Sequence, residues 1–288
     1  MKCGKTPIKK TSNIEHRTLN IECLKRKRFR ARSADGHVRP AVFALDVEFG
    51  IGHCQLDFYN WAVCSMLNDM NCVVTAGPTY EPLDEVRRLT NFSTGRLGTE
   101  LANYLAARGH GVTLFIGETS VYSGSRRARR VETFTTTVDL RDKLKAISTK
   151  KVDAIFHAAA VSDFAFGRIF EPNGNGKLSE LKETKKISTR QGKLLIELVP
   201  TPKIIADLRG WFPKTKLVGW KFEADGGRAE ALAAAQRQIT DCSTDLCVVN
   251  GPAYGDGFGL VGGKGTPAHL PNPPVLFDAL EKFARAGS

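Results

Sequence analysis

The 288-residue sequence lacks several features that would assign it directly to a class of protein. It has no run of about 18 consecutive apolar residues, which a membrane-spanning helix needs. Its seven cysteines form neither a Cys-x-x-Cys pair nor a Cys/His set with zinc-ligand spacing. The basic N-terminal stretch has no apolar core of the kind found in secretory signals. We therefore expect a cytoplasmic protein with reduced, mostly buried thiols and no membrane contact.

Negative charge is scarce at the start of the chain. The formal net charge is +12, and residues 1–40 hold twelve Lys or Arg against three acidic residues. The rest of the chain is only mildly basic, which suits a pocket for anionic metabolites and does not require nucleic acid as a partner. We expect residues 1–68 to be a basic, poorly ordered extension, with an RNA-binding arm as the alternative, and residues 69–288 to form the catalytic domain.

From Asn71 onward, short apolar runs alternate with amphipathic segments. NCVVTAG and GVTLFIG have the composition of buried parallel strands, and residues 95–109 carry apolar side chains at helical spacing before a glycine. Later apolar runs are VDAIFHAAAV, LLIELV, KLVGWKF and DLCVVN. This alternation predicts an α/β fold with a doubly wound, mainly parallel, Rossmann-like sheet and helices on both faces. Ligands bind such sheets at the carboxyl ends of the strands.

Two loops in the first part of this domain contain side chains suited to binding. TAGPT, residues 75–79, follows the first strand, and its Gly-Pro turn lets a ligand approach the backbone, although many such turns bind nothing. Asn91 to Gly98 places an amide, two hydroxyls and a glycine before a helix, whose N-terminus favours phosphate. Asn91 offers N–H donors to an acyl oxygen. The alternative for Ser93 or Thr94 is an N-cap without a ligand.

The pattern TAGPT-x-EPLD-x-VR followed by N-x-S-[ST]-G-[KR]-x-G resembles the signature of phosphopantothenoylcysteine synthetase, also called phosphopantothenate–cysteine ligase. The resemblance extends over about residues 70–285. It implies that 4'-phosphopantothenate is activated by a nucleoside triphosphate, CTP rather than ATP, with Mg²⁺, and that L-cysteine then attacks the acyl nucleotide. It also implies a homodimer. Bacterial members are often fused to a flavin-dependent decarboxylase, for which residues 1–68 are too few, so we expect a free-standing ligase.

The same resemblance assigns residues to the acyl substrate. Arg87 matches a substrate-contacting arginine, and Asn91 matches the asparagine that holds the acyl intermediate. The substrate-binding set that it implies is Arg87, Asn91, Ser93, Thr94, Gly95 and Ala160.

A second group of motifs is implied to bind the nucleotide. HAAAVSDF resembles the A-A-V-[AS]-D-[FWY] segment, in which a carboxylate at Asp163 can bond ribose or a phosphate-bound Mg²⁺, or else only cap a turn. Lys186, preferred to Lys185, matches a lysine that contacts the triphosphate. The resemblance therefore implies that Lys186 and Asn91 are the catalytic residues. Trp220 replaces a phenylalanine near the base, with core packing as the alternative. The implied set is His157, Ala158, Ala159, Asp163, Lys186, Pro202, Lys203, Ile204, Ile205 and Trp220.

The sequence departs from the family pattern in two places. Gln238 and Cys242 stand where bacterial members have two lysines that bind the cytidine nucleotide. This difference weakens the expectation that the nucleotide is CTP and not ATP. Residues 165–185 are longer and more polar than usual, and we expect a flexible active-site flap there. The competing classes are an NAD(P)-binding short-chain dehydrogenase or epimerase and an inactive nucleotide-binding homologue. Against the dehydrogenase, TAGPT replaces the usual glycine-rich turn and the sequence contains no Tyr-x-x-x-Lys.

Overall fold

A computed structural model describes residues 69–173, 176–181, 186–188, 192–262 and 266–286. The extension expected at residues 1–68 lies outside the described residues. The strands are β1 (Asn71–Ala76), β2 (Tyr80–Pro82), β3 (Arg88–Thr90), β4 (Gly111–Gly117), β5 (Arg130–Phe134), β6 (Ala154–His157), β7 (Phe164–Pro172), β8 (Leu178–Glu180), β9 (Leu195–Pro200), β10 (Lys216–Phe222), β11 (Leu246–Asn250), β12 (Phe258–Gly262) and β13 (Ala268–Leu270). The helices are α1 (Arg96–Ala107), α2 (Thr137–Ala146), α3 (Ile204–Trp211), α4 (Arg228–Cys242) and α5 (Pro273–Arg285).

Eight strands form the central sheet in the spatial order β13-β12-β11-β10-β6-β1-β4-β5. The six strands from β11 to β5 pair in parallel, and β12 and β13 continue the sheet in antiparallel pairing. This confirms the mainly parallel, doubly wound sheet. The strand order reverses between β1 and β6, and in such folds the crevice at the carboxyl ends of these two strands is the usual ligand site.

Helices cover both faces of the sheet, as the sequence predicts. On the first, the α1 face, Val74 and Leu114 pack with Leu101 of α1 and Leu280 of α5. On the opposite, the α3 face, the core is formed with helices α2 and α3, while α4 packs over β11 and β12. Successive side chains of a strand point to opposite faces, so a continuously apolar strand such as β1 is buried on both.

A second, three-stranded antiparallel sheet has the order β8-β7-β9. The apolar run LLIELV belongs to β9 in this sheet and not to the central one. Most of the segment expected to be a flexible flap, residues 165–185, forms β7 and β8, which pair with each other, and β7 also pairs with β9; movement of this segment over the active site stays a prediction. Residues 174–175 and 182–185 lie outside the described part. Strands β2 and β3 form a separate hairpin.

The described cysteines are unpaired and buried. They are Cys72, Cys242 and Cys247. Burial raises the pKa of Cys72 and of Cys247 to about 12, so both thiols stay protonated at neutral pH. Within the described part of the chain, no helix combines the length and the apolar character needed to cross a membrane.

Candidate active site

The loops that follow β1 and β6 are joined at the switch point of the sheet. The Ala160 N–H donates to the Gly77 carbonyl at 2.9 Å, and the Thr79 N–H donates to the Ala160 carbonyl at 3.2 Å. The Thr79 hydroxyl accepts from the Ser162 N–H at 2.8 Å. These bonds extend the parallel pairing of the two strands by one isolated bridge, between Pro78 and Ala160. The loop that contains Ala158, Ala159 and Ala160 is therefore held in place while its small side chains leave the backbone approachable.

His157 lies under this loop on the α3 face. Its Nδ1 is 2.9 Å from the Thr75 hydroxyl, which also accepts from the Ala159 N–H at 3.1 Å. Burial lowers the pKa of His157 to about 4, so the ring is neutral at pH 7. A buried neutral imidazole in this position supports the loop after β6 and adds no positive charge for a phosphate.

Asn91 follows the β2–β3 hairpin and reaches the same loop. Its Nδ2 group donates to the Ala160 carbonyl at 3.2 Å and to the Val161 carbonyl at 3.1 Å. Two carbonyl acceptors fix the orientation of the amide, because Oδ1 cannot donate to either. Both N–H bonds are thus used, and the group that Asn91 presents to a ligand is the acceptor Oδ1.

Arg87 is linked to the segment that contains Lys186 by a contact with the backbone of Ile187. The Arg87 guanidinium forms an ion pair with Asp84 and donates to the Ile187 carbonyl at 2.9 Å. Ile187 is buried, whereas Lys186 is exposed. Arg87 and the backbone next to Lys186 therefore meet at the turn of the β2–β3 hairpin, and the same hairpin leads into Asn91.

The N-terminus of α1 is the second part of this edge. Gly95 is the N-cap residue with φ 78°, and the Arg96 N–H donates to the Thr94 hydroxyl at 3.2 Å. Neither Ser93 nor Thr94 is therefore the N-cap of α1. The N–H groups of the first turn have no acceptor within the helix, which makes this end suited to an anion.

Ser120, which sequence reasoning missed, lies against both turns. Its buried hydroxyl has no hydrogen-bond partner in the described structure. A Cβ added at Gly77 would lie 1.9 Å from the Ser120 Oγ, and one at Gly95 would lie 2.8 Å from it. Both glycines also have φ near 78°, so the two turns and Ser120 approach closely only because side chains are absent. No motif points to Ser120, because the contact joins loops distant in the sequence.

The residues expected to bind the nucleotide are divided between the two faces of the sheet. Trp220 packs against the core on the α1 face, and its buried Nε1 has no partner in the described structure. His157 and the start of α3 lie on the other face, where Ile204 and Ile205 are buried in the core and Pro202 and Lys203 are exposed. A nucleotide confined to one face of the sheet would contact Trp220 or α3, and only a nucleotide lying across the carboxyl edge would reach both.

Gln238 and Cys242 turn toward the sheet on the α3 face. The Gln238 Nε2 donates to the Cys247 sulfur at 3.3 Å, and Cys242 is buried in the core with α3. These positions of α4 lie on the face opposite Trp220. They therefore offer nothing to a base that stacks on Trp220.

Asp163 is exposed at the end of the loop after β6, and its carboxylate has no bonding partner among the described residues. Within the described ranges, no group of three or more His, Cys, Asp or Glu side chains could hold a metal ion. A single free carboxylate fits Mg²⁺ that is bound mainly by phosphates and water. It does not fit a metal site built from protein ligands alone.

Comparisons with known proteins agree with this architecture. A family model for the DNA/pantothenate metabolism flavoprotein C-terminal domain matches residues 67–264. The chain is 34% identical over 189 residues to the coenzyme A biosynthesis bifunctional protein CoaBC of Thermococcus kodakarensis, covering 64% of this chain and 42% of that protein. It is 31% identical over 195 residues to a cysteine/cysteine sulfinic acid decarboxylase of an unknown prokaryotic organism, covering 67% of this chain and 49% of that protein. The chain thus spans less than half of either relative.

Among solved structures, the DNA/pantothenate metabolism flavoprotein from Streptococcus pneumoniae superimposes with a TM-score of 0.65 at 24% sequence identity. The match covers 76% of this chain and all of that one, 100%. At this level of identity the likeness establishes the fold.

Proposed function

The chain belongs to the family of the DNA/pantothenate metabolism flavoprotein C-terminal domain, and from this we propose that it is a phosphopantothenate–cysteine ligase of coenzyme A biosynthesis. The proposed reaction joins 4'-phosphopantothenate to L-cysteine. The phosphopantothenate carboxylate attacks the α-phosphorus of a nucleoside triphosphate and pyrophosphate leaves. The cysteine amine then attacks the acyl carbon and the nucleoside monophosphate leaves. We further propose a cytoplasmic location, with which the buried, unpaired thiols agree.

The observation that carries this proposal is the position of Asn91, which joins the β2–β3 hairpin to the loop after β6 at the switch point. An acyl group lying along this loop would meet Asn91 Oδ1. We propose that Oδ1 accepts a hydrogen bond from an N–H of the cysteine amine. This bond would direct the lone pair of the amine nitrogen at the acyl carbon. This role differs from the donor role expected from the sequence, because both N–H bonds of Asn91 already have acceptors.

We propose that the nucleotide lies on the α1 face. Its phosphates would meet the N-terminus of α1 near Ser93, Thr94, Gly95 and Ser120, and its base would lie near Trp220. The unpartnered Ser120 hydroxyl and Trp220 Nε1 support this placement, because a buried donor without an acceptor is costly. Lys186 would offset the charge that develops on the pyrophosphate as it leaves. On this arrangement His157 and residues 202–205 support the substrate loop from the opposite face.

Two parts of the proposal concern the nucleotide and its metal. We propose CTP as the nucleotide from the family resemblance, although Gln238 and Cys242 do not supply lysines. We propose that Asp163 holds Mg²⁺ together with the nucleotide phosphates, where the ion would neutralise phosphate charge. The free carboxylate of Asp163 supports this assignment.

We also propose a homodimer that forms through the β8-β7-β9 sheet. This sheet exposes large apolar side chains that a lone chain would leave in water. They are Phe164, Leu178, Leu195, Leu198 and Val199, each between 36% and 52% exposed. A second copy of the chain is the partner that the family resemblance indicates.

The deciding experiment measures pyrophosphate release with phosphopantothenate and cysteine in the presence of each of the four ribonucleoside triphosphates. Release that requires phosphopantothenate, and formation of phosphopantothenoylcysteine by mass spectrometry, are the expected results. A dehydrogenase would instead show stabilisation by NAD(P)H in a thermal-shift assay. Nucleotide binding without pyrophosphate release would identify an inactive homologue and end the proposal.

A further inference from the structure

The backbone of Ile187 is held on both sides by one turn of the β2–β3 hairpin. Its N–H donates to Asp84 Oδ2 at 3.2 Å, and its carbonyl accepts from the Arg87 guanidinium at 2.9 Å. Its side chain is buried at 5% exposure, while Lys186 and Ser188 on either side are exposed. The hairpin thus holds the Ile187 backbone on both sides, while the side chains before and after it are exposed.

The anchor is organised by the Asp84 carboxylate. Asp84 Oδ1 accepts from the N–H groups of Val86 and Arg87 at 2.9 and 2.7 Å, which shapes the turn. Oδ2 accepts from the Arg87 guanidinium and from Ile187, so the two oxygens have separate tasks. The Asp84 side chain is 1% exposed and the Arg87 side chain 42%. The guanidinium of Arg87 holds the pKa of Asp84 well below its usual range, so the carboxylate remains charged at neutral pH.

Arg87 is therefore occupied in a way that the sequence does not reveal. Its Nε and one terminal nitrogen both donate to Asp84 Oδ2, and that same terminal nitrogen also donates to Ile187. A guanidinium is rigid and planar, so these bonds fix the direction of the whole group. The bonds join the hairpin that leads into Asn91 to the residue directly after Lys186.

We propose that Asp84 and Arg87 form a latch that positions Lys186 for the nucleotide step. Asp84 and Arg87 are positioning residues on this view, because they act through the Ile187 backbone. The catalytic part of the inference rests on the proposed function, since it assigns Lys186 to the departing pyrophosphate. The structural part, that the latch holds the Lys186–Ile187 peptide, stands on the contacts alone.

The substitution that separates these tasks is Asp84→Asn. Asparagine has the same shape, and its Oδ1 keeps the two bonds that shape the turn. Its Nδ2 replaces Oδ2, so a donor then faces the Arg87 guanidinium and the Ile187 N–H, and the latch is lost. Glu85→Gln is the matched control, because Glu85 is an exposed carboxylate in the same turn.

Limited digestion of the full chain with trypsin tests the structural part. Trypsin cleaves after lysine, and mass spectrometry reports cleavage at Lys186–Ile187 specifically. We expect Asp84→Asn to accelerate this cleavage by about tenfold or more, the scale of one lost charged hydrogen bond, with Glu85→Gln unchanged. Thermal melts of each variant confirm that the fold is intact. Equal cleavage in wild type and Asp84→Asn overturns the latch, and so does equal acceleration by Glu85→Gln.

Pyrophosphate release tests the catalytic part. Asp84→Asn should lower kcat by about tenfold with little change in the KM for the nucleotide, because the loss concerns the placement of Lys186. In a Lys186→Gln background, Asp84→Asn should add less than about twofold, since a latch without its lysine has nothing to position. Effects that multiply in the double variant would show that Asp84 acts independently of Lys186, and the proposal then fails.

The two tests also separate the failure of this inference from that of the proposed function. If wild type releases no pyrophosphate with any nucleotide, the ligase assignment and the catalytic part are both wrong, and digestion still decides whether the latch exists. If wild type is active and Asp84→Asn loses kcat without faster cleavage, the loss does not pass through the Lys186–Ile187 peptide and the latch is wrong.

Discussion

The amide of Asn91 is held by two carbonyls, so its chemistry depends on which end stays free. In Asn91→Asp, a carboxylate would face the carbonyls of Ala160 and Val161, and the side chain would turn away or distort the loop. We expect pyrophosphate release to persist in part, while ligation slows by about a hundredfold and the acyl nucleotide accumulates. Rapid-quench mass spectrometry would detect this intermediate. Wild-type ligation by this variant would remove Asn91 from the mechanism.

Lys186→Gln concerns the other half of the reaction. Loss of the positive charge should slow pyrophosphate release itself by about a hundredfold, with no build-up of acyl nucleotide. A single-turnover assay distinguishes the two variants. If Lys186→Gln accumulates the intermediate as Asn91→Asp does, the roles of the two residues are assigned wrongly.

His157 makes stability depend on pH in a defined window. Its folded pKa of about 4 lies below the unfolded value near 6.5, so only the unfolded chain takes up this proton between those values. The contribution of neutral His157 is complete above about pH 6.5 and falls by up to about 3 kcal/mol as the pH drops to 4. The pKa of Asp84 is lowered in the folded chain, so protonation of Asp84 reduces the free energy of unfolding only below the pKa that this carboxyl has in the unfolded chain.

Urea unfolding of wild type and His157→Gln from pH 4 to pH 7 tests this window. The variant has no imidazole to titrate, so its free energy of unfolding should change less with pH than that of wild type. Parallel curves for the two proteins would show that His157 is not the titrating group.

At the scale of elements, α1 approaches β1 at Gly98 more closely than a side chain allows. A Cβ at Gly98 would lie 2.6 Å from the Ala76 Cβ and 3.2 Å from the Thr75 carbonyl oxygen. Gly98→Ala should therefore push the helix away and cost about 1–3 kcal/mol of unfolding free energy. Because α1 carries the proposed phosphate site, nucleotide affinity should fall as well.

Gly210 in α3 is the control for this prediction. A Cβ there meets nothing within 4 Å, so Gly210→Ala should raise the free energy of unfolding by about 0.4–1 kcal/mol through the unfolded chain. Urea titration of both variants gives the comparison. Equal effects would mean that close contact with Ala76 does not limit α1.

At the scale of the whole molecule, the apolar surface of the β8-β7-β9 sheet predicts self-association. Leu198 is 51% exposed in β9, and Leu198→Lys would place a charge in the proposed interface. We expect this variant to dissociate at least about tenfold more readily than wild type in analytical ultracentrifugation. Val138→Lys, at a 50% exposed position of α2 outside this sheet, should remain dimeric. A wild-type protein that sediments as a monomer at every concentration would refute the dimer.

The central fold could be predicted from the sequence because its information is local. A buried parallel strand has a short apolar run in the sequence, and an amphipathic helix has apolar residues at helical spacing. For this reason β1, α1 and β4 lie at the residues expected from the sequence. The motif around Asn91 could be recognised for the same reason, since its residues are consecutive. The apolar run of β9 could be recognised from the sequence, but its place in a separate sheet with β7 and β8 could not, because contacts between the strands decide their antiparallel pairing.

What the sequence determined by itself was the doubly wound sheet, the family resemblance, and the residue types that reach its carboxyl edge. Tertiary structure alone decided which of these side chains share a face, which nitrogens are already bonded, and which buried groups lack a partner. Trp220 and His157 lie on opposite faces because the strands that carry them point these side chains in opposite directions. Asp84, Ile187 and Ser120 gain their importance from contacts between segments far apart in the chain, which no local pattern records.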